Sequence, residues 1–495
     1  MKNLVAMKLY EHFINGEYRS SPQTFETINP ATGQPIGEAA RGTKADIDNA
    51  VQIAQDTFSN SAWPDMDGRE RGQILRKVAQ VIRHRAEQII PLEVADAGKT
   101  LADARLEVEI AAQVWDYYAD LTQSAIGTVN AVPAPDQFGY TVRQPAGVIG
   151  IIIPWNFPFV LTALKVAPAL AAGNTAVMKP AEDSPITASL LGDFLNEAGI
   201  PAGVANIVQG LGEEAGAALA ANPSLDKLVF TGSSEIGSLV MQTAGKNITD
   251  VTLELGGKSA NIICADADRE QALMSATFGC LLHCGQCCCA GTRLLVEKSI
   301  LESFLDDLEK QFERIRVGDP TDEKTHIGPI INNKQLTKID DYVEVGRGEG
   351  ATVMTGGERA TTGELGNGLF YKPTILANAN NRMRIAQEEI FGPVITCIGF
   401  EDLDEAIAIA NDSTYGLAAG VCTRDLVKAH YAARRLEAGT VWINTFNGLA
   451  LNSPFLGWKK SGIGVERGIE GLHDHMRLKS VRIDMSQQPL PVFGD

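Results

Sequence analysis

Along the middle of this chain apolar residues come in short, unbroken runs. "GVIGIII", "NTAVMKP", "VANIVQG", "KLVFTG" and "VTLELGG" all fall between Gly147 and about Ala267, each of strand length. Runs without polar alternation predict strands covered on both faces, and hence a parallel α/β sheet. Helical patterns separate them. One of these, "PITASLLGDFLNEAGIP", opens after Ser184 and stops at Gly199-Ile200-Pro201. Before this block, Thr43 to Ser124 reads as mostly helical, with helix starts at Lys44-Ala45-Asp46 and Asp65-Met66-Asp67. After it the alternation resumes: a helix from Asp268, a cysteine-rich loop, the strand "TRLLVEK" and the helix "SILESFLDDLEKQFERI". The helices "DLDEAIAIAND" and "RDLVKAHYAARRLEAG" and the strand "TVWINT" then complete a second predicted α/β domain. Two pieces with strand alternation stand apart, "QFGYTVRQP" near 137–145 and "HMRLKSVRIDM" near 475–485. They are suited to pair with each other as an arm reaching another subunit.

Length agrees with more than one core, since 495 residues exceed what a single hydrophobic core supports. The formal net charge of −18 gives a surface that repels phosphate backbones, which argues against a nucleic-acid partner. The N-terminal "MKNLVAMKLYEHFINGEY" scatters charges among its apolar residues, so no secretory signal is expected. The stretch from Gln144 to Leu164 carries no charge, but Pro154 and Pro158 would break a spanning helix at its middle and strand Asn156 there. It reads instead as a buried strand, a sharp turn and a buried helix. No membrane association and a cytoplasmic location are the resulting expectations.

Candidate chemistry concentrates in "CGQCCCAGTR", where Cys284, Cys287, Cys288 and Cys289 lie within six positions, just after Cys280 and His283. A metal cage, a disulfide framework and one reactive thiol all compete for this segment. Disulfides are rare in a reducing compartment, and these cysteines lie too close together to staple distant parts of the chain. A zinc site needs a second ligand cluster, and Cys264, Cys397 and Cys422 are isolated. The CxxC of Cys284 and Cys287 follows a predicted helix instead of opening one, where the dipole would acidify a thiol. A nucleophilic thiol needs a base and an oxyanion donor. Three turns after predicted strands offer candidates. "IIIPWNFP" places Asn156, a donor that does not titrate, between two prolines. "LELGGK" sets Glu254 among apolar neighbours, where a carboxyl acquires a raised pKa and can act as a base. "VFTGSSEIG" ends a strand at Gly232 and opens a helix at Ser233, leaving amides free for an anion.

Taken together and in order, "PWNFP", "KPAE", "FTGSSEIG", "LELGGKS", "GQCCCAG", "EEIFGPV" and "SPFLGWKKSG" resemble the motifs of the NAD(P)-dependent aldehyde dehydrogenase superfamily, over nearly the whole chain. The resemblance implies a Rossmann-like cofactor domain (1–128 and 147–255), an α/β catalytic domain (256–470) and a small β oligomerisation arm (129–146 and 475–495). It places the nucleophile at Cys288, with Cys287 and Cys289 beside it in the substrate pocket. The oxyanion donor falls on Asn156, aided by the Cys288 amide, and the general base on Glu254. Cofactor contacts fall on Trp155, Lys179, Glu182, Gly232, Ser233, Leu255, Glu389 and Phe391. Lys165 and Glu466 match a proton-relay pair. Phe157, Leu161 and Leu164 share one face of the helix after the turn, and the resemblance has that face line an aldehyde tunnel opposite Leu449 and Phe455.

Two positions depart from the family pattern: His283 stands where Asn is usual, followed by Cys284, and Val465 where Arg is common. The implied reaction is oxidation of an aldehyde to the carboxylic acid through a cysteine thiohemiacetal and thioester. NAD is the expected cofactor, with NADP as a weaker alternative, because a carboxylate at Glu182 disfavours a 2′-phosphate. No metal is expected. Medium-length aliphatic aldehydes are the expected substrates and betaine aldehyde a poor one, with aromatic or other specialised aldehydes as the alternative. An acylating variant or a non-catalytic metal-binding scaffold stands further off. A homodimer or homotetramer is expected.

Overall fold

The computed structural model describes residues 8–133, 135–448 and 450–486. Leu449 and the last residues assigned to the arm, 487–495, lie outside the described residues. All five apolar runs between 147 and 267 become adjacent parallel strands of one sheet, in the order Asp250–Glu254, Lys227–Thr231, Val148–Ile152, Thr175–Lys179 and Ala205–Ile207. Three strands absent from the sequence-based reading complete it to eight. The hairpin of His12–Ile14 and Glu17–Arg19 covers one edge, and Gly462–Ile463 pairs antiparallel with Leu253 and Glu254 at the other. The chain thus returns to the first sheet at 462, within the stretch allotted to the second domain. Strands of two or three residues carry too little pattern to be read in advance.

Helices cover both faces of this sheet. Gly68–His84, Leu101–Leu121 and Pro158–Ala171 pack together over a core that includes Trp115, Tyr118 and Leu164. Lys44–Asn60 and Ser234–Gly245 lie over a second cluster. Their starts follow from capping chemistry. Thr43 and Asp46 form a reciprocal capping box, and Asp67 and Asp268 cap the helices that follow them. The segment after Ser184 forms two helices, Ile186–Ser189 and Leu191–Ala198, and Gly199 ends the second in the left-handed region at φ 87°.

The second sheet has seven strands, in the order Thr352–Thr355, Thr374–Ala377, Val394–Phe400, Arg293–Glu297, Ala260–Ile263, Ala418–Cys422 and Thr440–Ile443. All are parallel except the first. Gln137–Pro145 and Met476–Asp484 do pair with each other, antiparallel over nine positions from Met476↔Pro145 to Asp484↔Gln137. The uncharged stretch 144–164 resolves into the strand Val148–Ile152, a turn and the start of the helix Pro158–Ala171. Among the described residues no helix is long and apolar enough to cross a membrane.

Candidate active site

The cysteine segment lies between the helix Arg269–Leu281 and the strand Arg293–Glu297, and its path is set by an abrupt break in the helix. His283 and Cys284 are both left-handed, at φ 47° and 56°, and turn the chain inward. A positive φ is uncommon outside glycine and is tolerated best by Asn, Asp and His, which accounts for a polar residue at 283. All eight cysteines are free thiols, and Cys288 alone among them is not fully buried. Around it Phe157, Cys287, Cys289, Trp442, Phe446 and Phe455 form one apolar cluster. Cys287 Sγ and Cys289 Sγ lie 3.5 Å apart. Contact with the Cys287 sulfur raises the Cys288 pKa to about 12, so Cys288 rests as a thiol that needs a base. The same S–H···S contacts favour charge on Cys287, which burial opposes and which has no open face. Exposure, not acidity, singles out Cys288. The described residues contain no group of three or more His, Cys, Asp or Glu placed to hold a metal.

Asn156 sits in the turn after Val148–Ile152 and is 5% exposed. Its Nδ2 donates one hydrogen bond to the Gln286 carbonyl at 3.0 Å, two residues before Cys288. An amide has two N–H bonds, so one remains for a ligand. Gln286 is held in turn: its Nε2 donates to the His283 carbonyl and its Oε1 accepts from the Ile331 amide.

Glu254 ends the strand Asp250–Glu254, which is paired on both sides, so it is not an edge residue. Both of its carboxylate oxygens are buried without a hydrogen-bond partner. Burial, and then the charge of Glu466, push its pKa well above the ordinary carboxyl range, and the nearby Lys165 only partly offsets this. Lys165 and Glu466 form a buried ion pair. The next two glycines have a clear steric reason. A Cβ at Gly257 would lie 2.4 Å from the Cys288 carbonyl oxygen, and one at Gly256 would lie 2.6 Å from Glu389 Oε2. Close approach without side chains therefore joins the strand end carrying Glu254 to the Cys288 loop on one side and to Glu389 on the other.

The residues expected to meet a cofactor lie along the ends of the first sheet. Lys179 closes the strand Thr175–Lys179, and its Nζ donates to Glu182 Oε2 at 2.7 Å. Burial disfavours charge on Glu182, but Lys179 and the Gly212 amide outweigh it and hold the carboxyl below its usual range. Ser233 caps the helix Ser234–Gly245, accepting from the Ile236 amide at 3.3 Å. Glu389 Oε1 accepts from the Gly257 amide at 2.9 Å, and burial raises its pKa to about 7. Phe391 and Trp155 meet edge to face, with ring centroids 5.3 Å apart. Leu255 is buried against the helix that Ser233 opens, where a Cβ at Gly237 would meet its Cδ2 at 2.3 Å. A glycine-lined carboxylate at one end and a lysine–glutamate pair at the other suit the two riboses of a dinucleotide, and the intervening helix N-terminus suits its pyrophosphate.

Of the expected tunnel residues, Phe157 and Phe455 join the cysteine cluster. Leu164 does not: it is 2% exposed in the helical core with Trp115 and Tyr118, and Leu161 packs against that same core. The i+7 position has by then left the mouth of the helix for its packed interior, whereas Leu161 at i+4 stays partly exposed. Trp442 and Phe446, which belong to the same cluster as Phe157 and Phe455, lack any motif that marks them. Lys99, Glu107 and Gln286 also escaped the sequence reading. One signal existed for Glu107, a charged residue on the apolar stripe of Leu101–Leu121, beside Ala104, Val108 and Ala111.

Comparison with known proteins identifies the family. The model of the aldehyde dehydrogenase family matches residues 18–481. An aldehyde dehydrogenase of Enchytraeus buchholzi is 45% identical, over 95% of each chain. A betaine aldehyde dehydrogenase of Bacillus subtilis is 42% identical over 95% of this chain and 96% of its own. The human mitochondrial aldehyde dehydrogenase is also 42% identical, over 96% of this chain and 92% of its own. A crystal structure of betaine aldehyde dehydrogenase from Staphylococcus aureus in complex with NAD+ superposes with a TM-score of 0.96 at 38% identity, covering 98% of this chain and 97% of that one. With a matching model from 18 to 481, relatives matched over more than nine-tenths of both chains and the same fold, this chain belongs to the aldehyde dehydrogenase family.

Proposed function

We propose that this aldehyde dehydrogenase uses NAD to oxidise apolar, medium-length aldehydes to carboxylic acids, with Cys288 as nucleophile, Asn156 as oxyanion donor and Glu254 as general base. The observation that carries this reading is the single accessible thiol in an apolar cluster, with a free amide N–H and an unpartnered carboxyl beside it. Cys288 Sγ, relieved of its proton by Glu254, bonds to the aldehyde carbon, and the carbonyl electron pair moves onto oxygen. Asn156 Nδ2 and the Cys288 amide hold that oxyanion, and one such donor typically contributes about 3–4 kcal/mol. NAD, when bound, supplies the acceptor for the hydride that leaves this carbon, and a thioester remains on Cys288. Glu254 then takes a proton from water, the hydroxide attacks the thioester carbon, and the S–C bond breaks to release the acid. Glu254 passes the Cys288 proton to the Lys165–Glu466 pair before it takes one from water. One of the two protons returns to the departing Cys288 thiolate and the other is released. Lys179 and Glu182 would hold the adenosine ribose, Ser233 the pyrophosphate and Glu389 the nicotinamide ribose.

Phe157, Phe446, Phe455 and Trp442 around Cys288 favour an apolar substrate, with each buried CH₂ contributing about 0.8 kcal/mol. Lys99 already stands 4.0 Å from the Phe157 ring centroid, which disfavours a second cation there. One observation favours a different reading. A cavity of about 440 Å³ bordered by Phe446 and Phe278 also presents Asp268 and Glu270, a setting that attracts a quaternary ammonium, and two of the similar proteins above are betaine aldehyde dehydrogenases. NADH formation with acetaldehyde, longer aliphatic aldehydes, benzaldehyde and betaine aldehyde separates the two. Rising kcat/KM along the aliphatic series supports the apolar reading. Betaine aldehyde as the best substrate, with Glu270→Gln depressing its kcat/KM, would replace it. A homodimer or homotetramer is supported by exposed apolar residues on two surfaces, Ile236 and Leu239 on Ser234–Gly245 and Leu478 and Ile483 on the arm.

A further inference from the structure

Beneath the Asn156 turn lies a buried ion pair that the proposed chemistry does not use. Gly98 ends the helix Ala86–Ala97 at φ 68°, and Thr100 caps the next helix by accepting from the Asp103 amide. Lys99, held between these two ends, turns inward and is 1% exposed. Its Nζ donates to the Asn156 carbonyl at 2.9 Å and lies 2.5 Å from Glu107 Oε2. The other oxygen of Glu107 accepts from the amides of Phe159 and Val160, at 3.1 and 3.0 Å. Phe157, at the N-cap of the helix Pro158–Ala171, offers no side-chain cap of its own. Glu107 therefore caps that helix from a neighbouring one, and a single ion pair grips the turn on both sides. Burial raises the pKa of the flanking carboxyls of Glu93 and Asp103.

We infer that Lys99 and Glu107 are positioning residues that aim the free N–H of Asn156 at the oxyanion. The inference rests on the reading of Asn156 as oxyanion donor. One N–H of that amide is committed to the Gln286 carbonyl, so the direction of the other is set by where the backbone of residue 156 is held. Lys99 holds that backbone by its carbonyl. A misplacement of about 1 Å at such a site costs on the order of a hundredfold in rate.

Two reactions of the same sulfur test this. p-Nitrophenyl acetate acylates Cys288 through a tetrahedral oxyanion, forming the thioester and releasing p-nitrophenolate. Iodoacetamide alkylates Cys288, forming an S–C bond and releasing iodide, with no oxyanion. Lys99→Met is expected to slow acylation at least about tenfold while alkylation stays within about twofold. In an Asn156→Ala background it should add less than about twofold to the loss of acylation, because residues that act through one group are not additive. Lys99→Met leaves Glu107 as a lone buried charge, so the same measurements are made on Lys99→Met/Glu107→Gln, which removes both charges and keeps the volume. The same pattern is expected there. Equal losses in acylation and alkylation, unchanged acylation, or a further loss in the Asn156→Ala background would overturn the inference. Fast acylation by Asn156→Ala alone would instead remove the oxyanion reading beneath it.

Discussion

Replacing Cys288 by Ala removes the one accessible sulfur of the cluster, and NADH formation should fall to background while NAD binding, followed by fluorescence titration, is kept. Cys287→Ala and Cys289→Ala should retain turnover with an altered KM, since these sulfurs only line the apolar wall. A dead Cys287→Ala beside an active Cys288→Ala would reverse the assignment. Glu254→Gln should impair the second half-reaction most, because Gln cannot accept a proton from water. Mass spectrometry after incubation with aldehyde and NAD should then find an acyl group on Cys288, and wild-type steady-state turnover would be incompatible with Glu254 as the base.

At the scale of elements, the proposed base Glu254 sits at a strand end, and its tuning comes from the segments that meet there. As the proposed base, Glu254 would work only when ionised, and burial and the charge of Glu466 push its pKa upward. Turnover should therefore fall, as pH is lowered, at a pH well above the usual carboxyl range. Glu466→Gln removes a like charge and leaves Lys165 unpaired beside Glu254, so the acid limb of the kcat profile should move to lower pH. A limb that stays in place or rises would mean that another group controls it. In the proposed cofactor placement, the end of Thr175–Lys179 would set cofactor choice in the same way. Lys179 and the Gly212 amide hold the Glu182 carboxyl below its usual range, and in the proposed placement it would repel a 2′-phosphate. NAD should be preferred over NADP in kcat/KM by at least about tenfold, or about 1.4 kcal/mol, and Glu182→Gln should narrow that ratio. A native preference for NADP would contradict this.

For the whole molecule, the arm is the feature that calls for a partner. Its three-stranded sheet ends in the strand Met476–Asp484, whose outer edge is unpaired among the described residues, and Leu478 and Ile483 are exposed on it. Leu478→Asp combined with Ile483→Asp should shift the mass measured by light scattering toward a smaller species, while the far-ultraviolet circular dichroism is unchanged. An unaltered mass would assign assembly to the helix Ser234–Gly245 instead.

Local pattern alone determined much of this protein. Five uninterrupted apolar runs could only be buried strands, and they lie side by side; the Thr43, Asp67 and Asp268 caps mark helix starts because capping is satisfied within a few residues. Nine-residue alternation sufficed to pair Gln137–Pro145 with Met476–Asp484. The motif set singled out Cys288, Asn156 and Glu254 for the proposed chemistry, since each lies at a turn or strand end marked by its adjacent residues. Tertiary structure decided what depends on distant partners. Which cysteine is accessible, and the push of Glu466 on Glu254 from 212 positions away, come from packing between separate segments. So does the departure of Leu164 into the helical core, because helical spacing defines a face but not what that face meets. Lys99 and Glu107 read as ordinary helix-flanking charges until the fold removes water from both, and a charge without water must be paired.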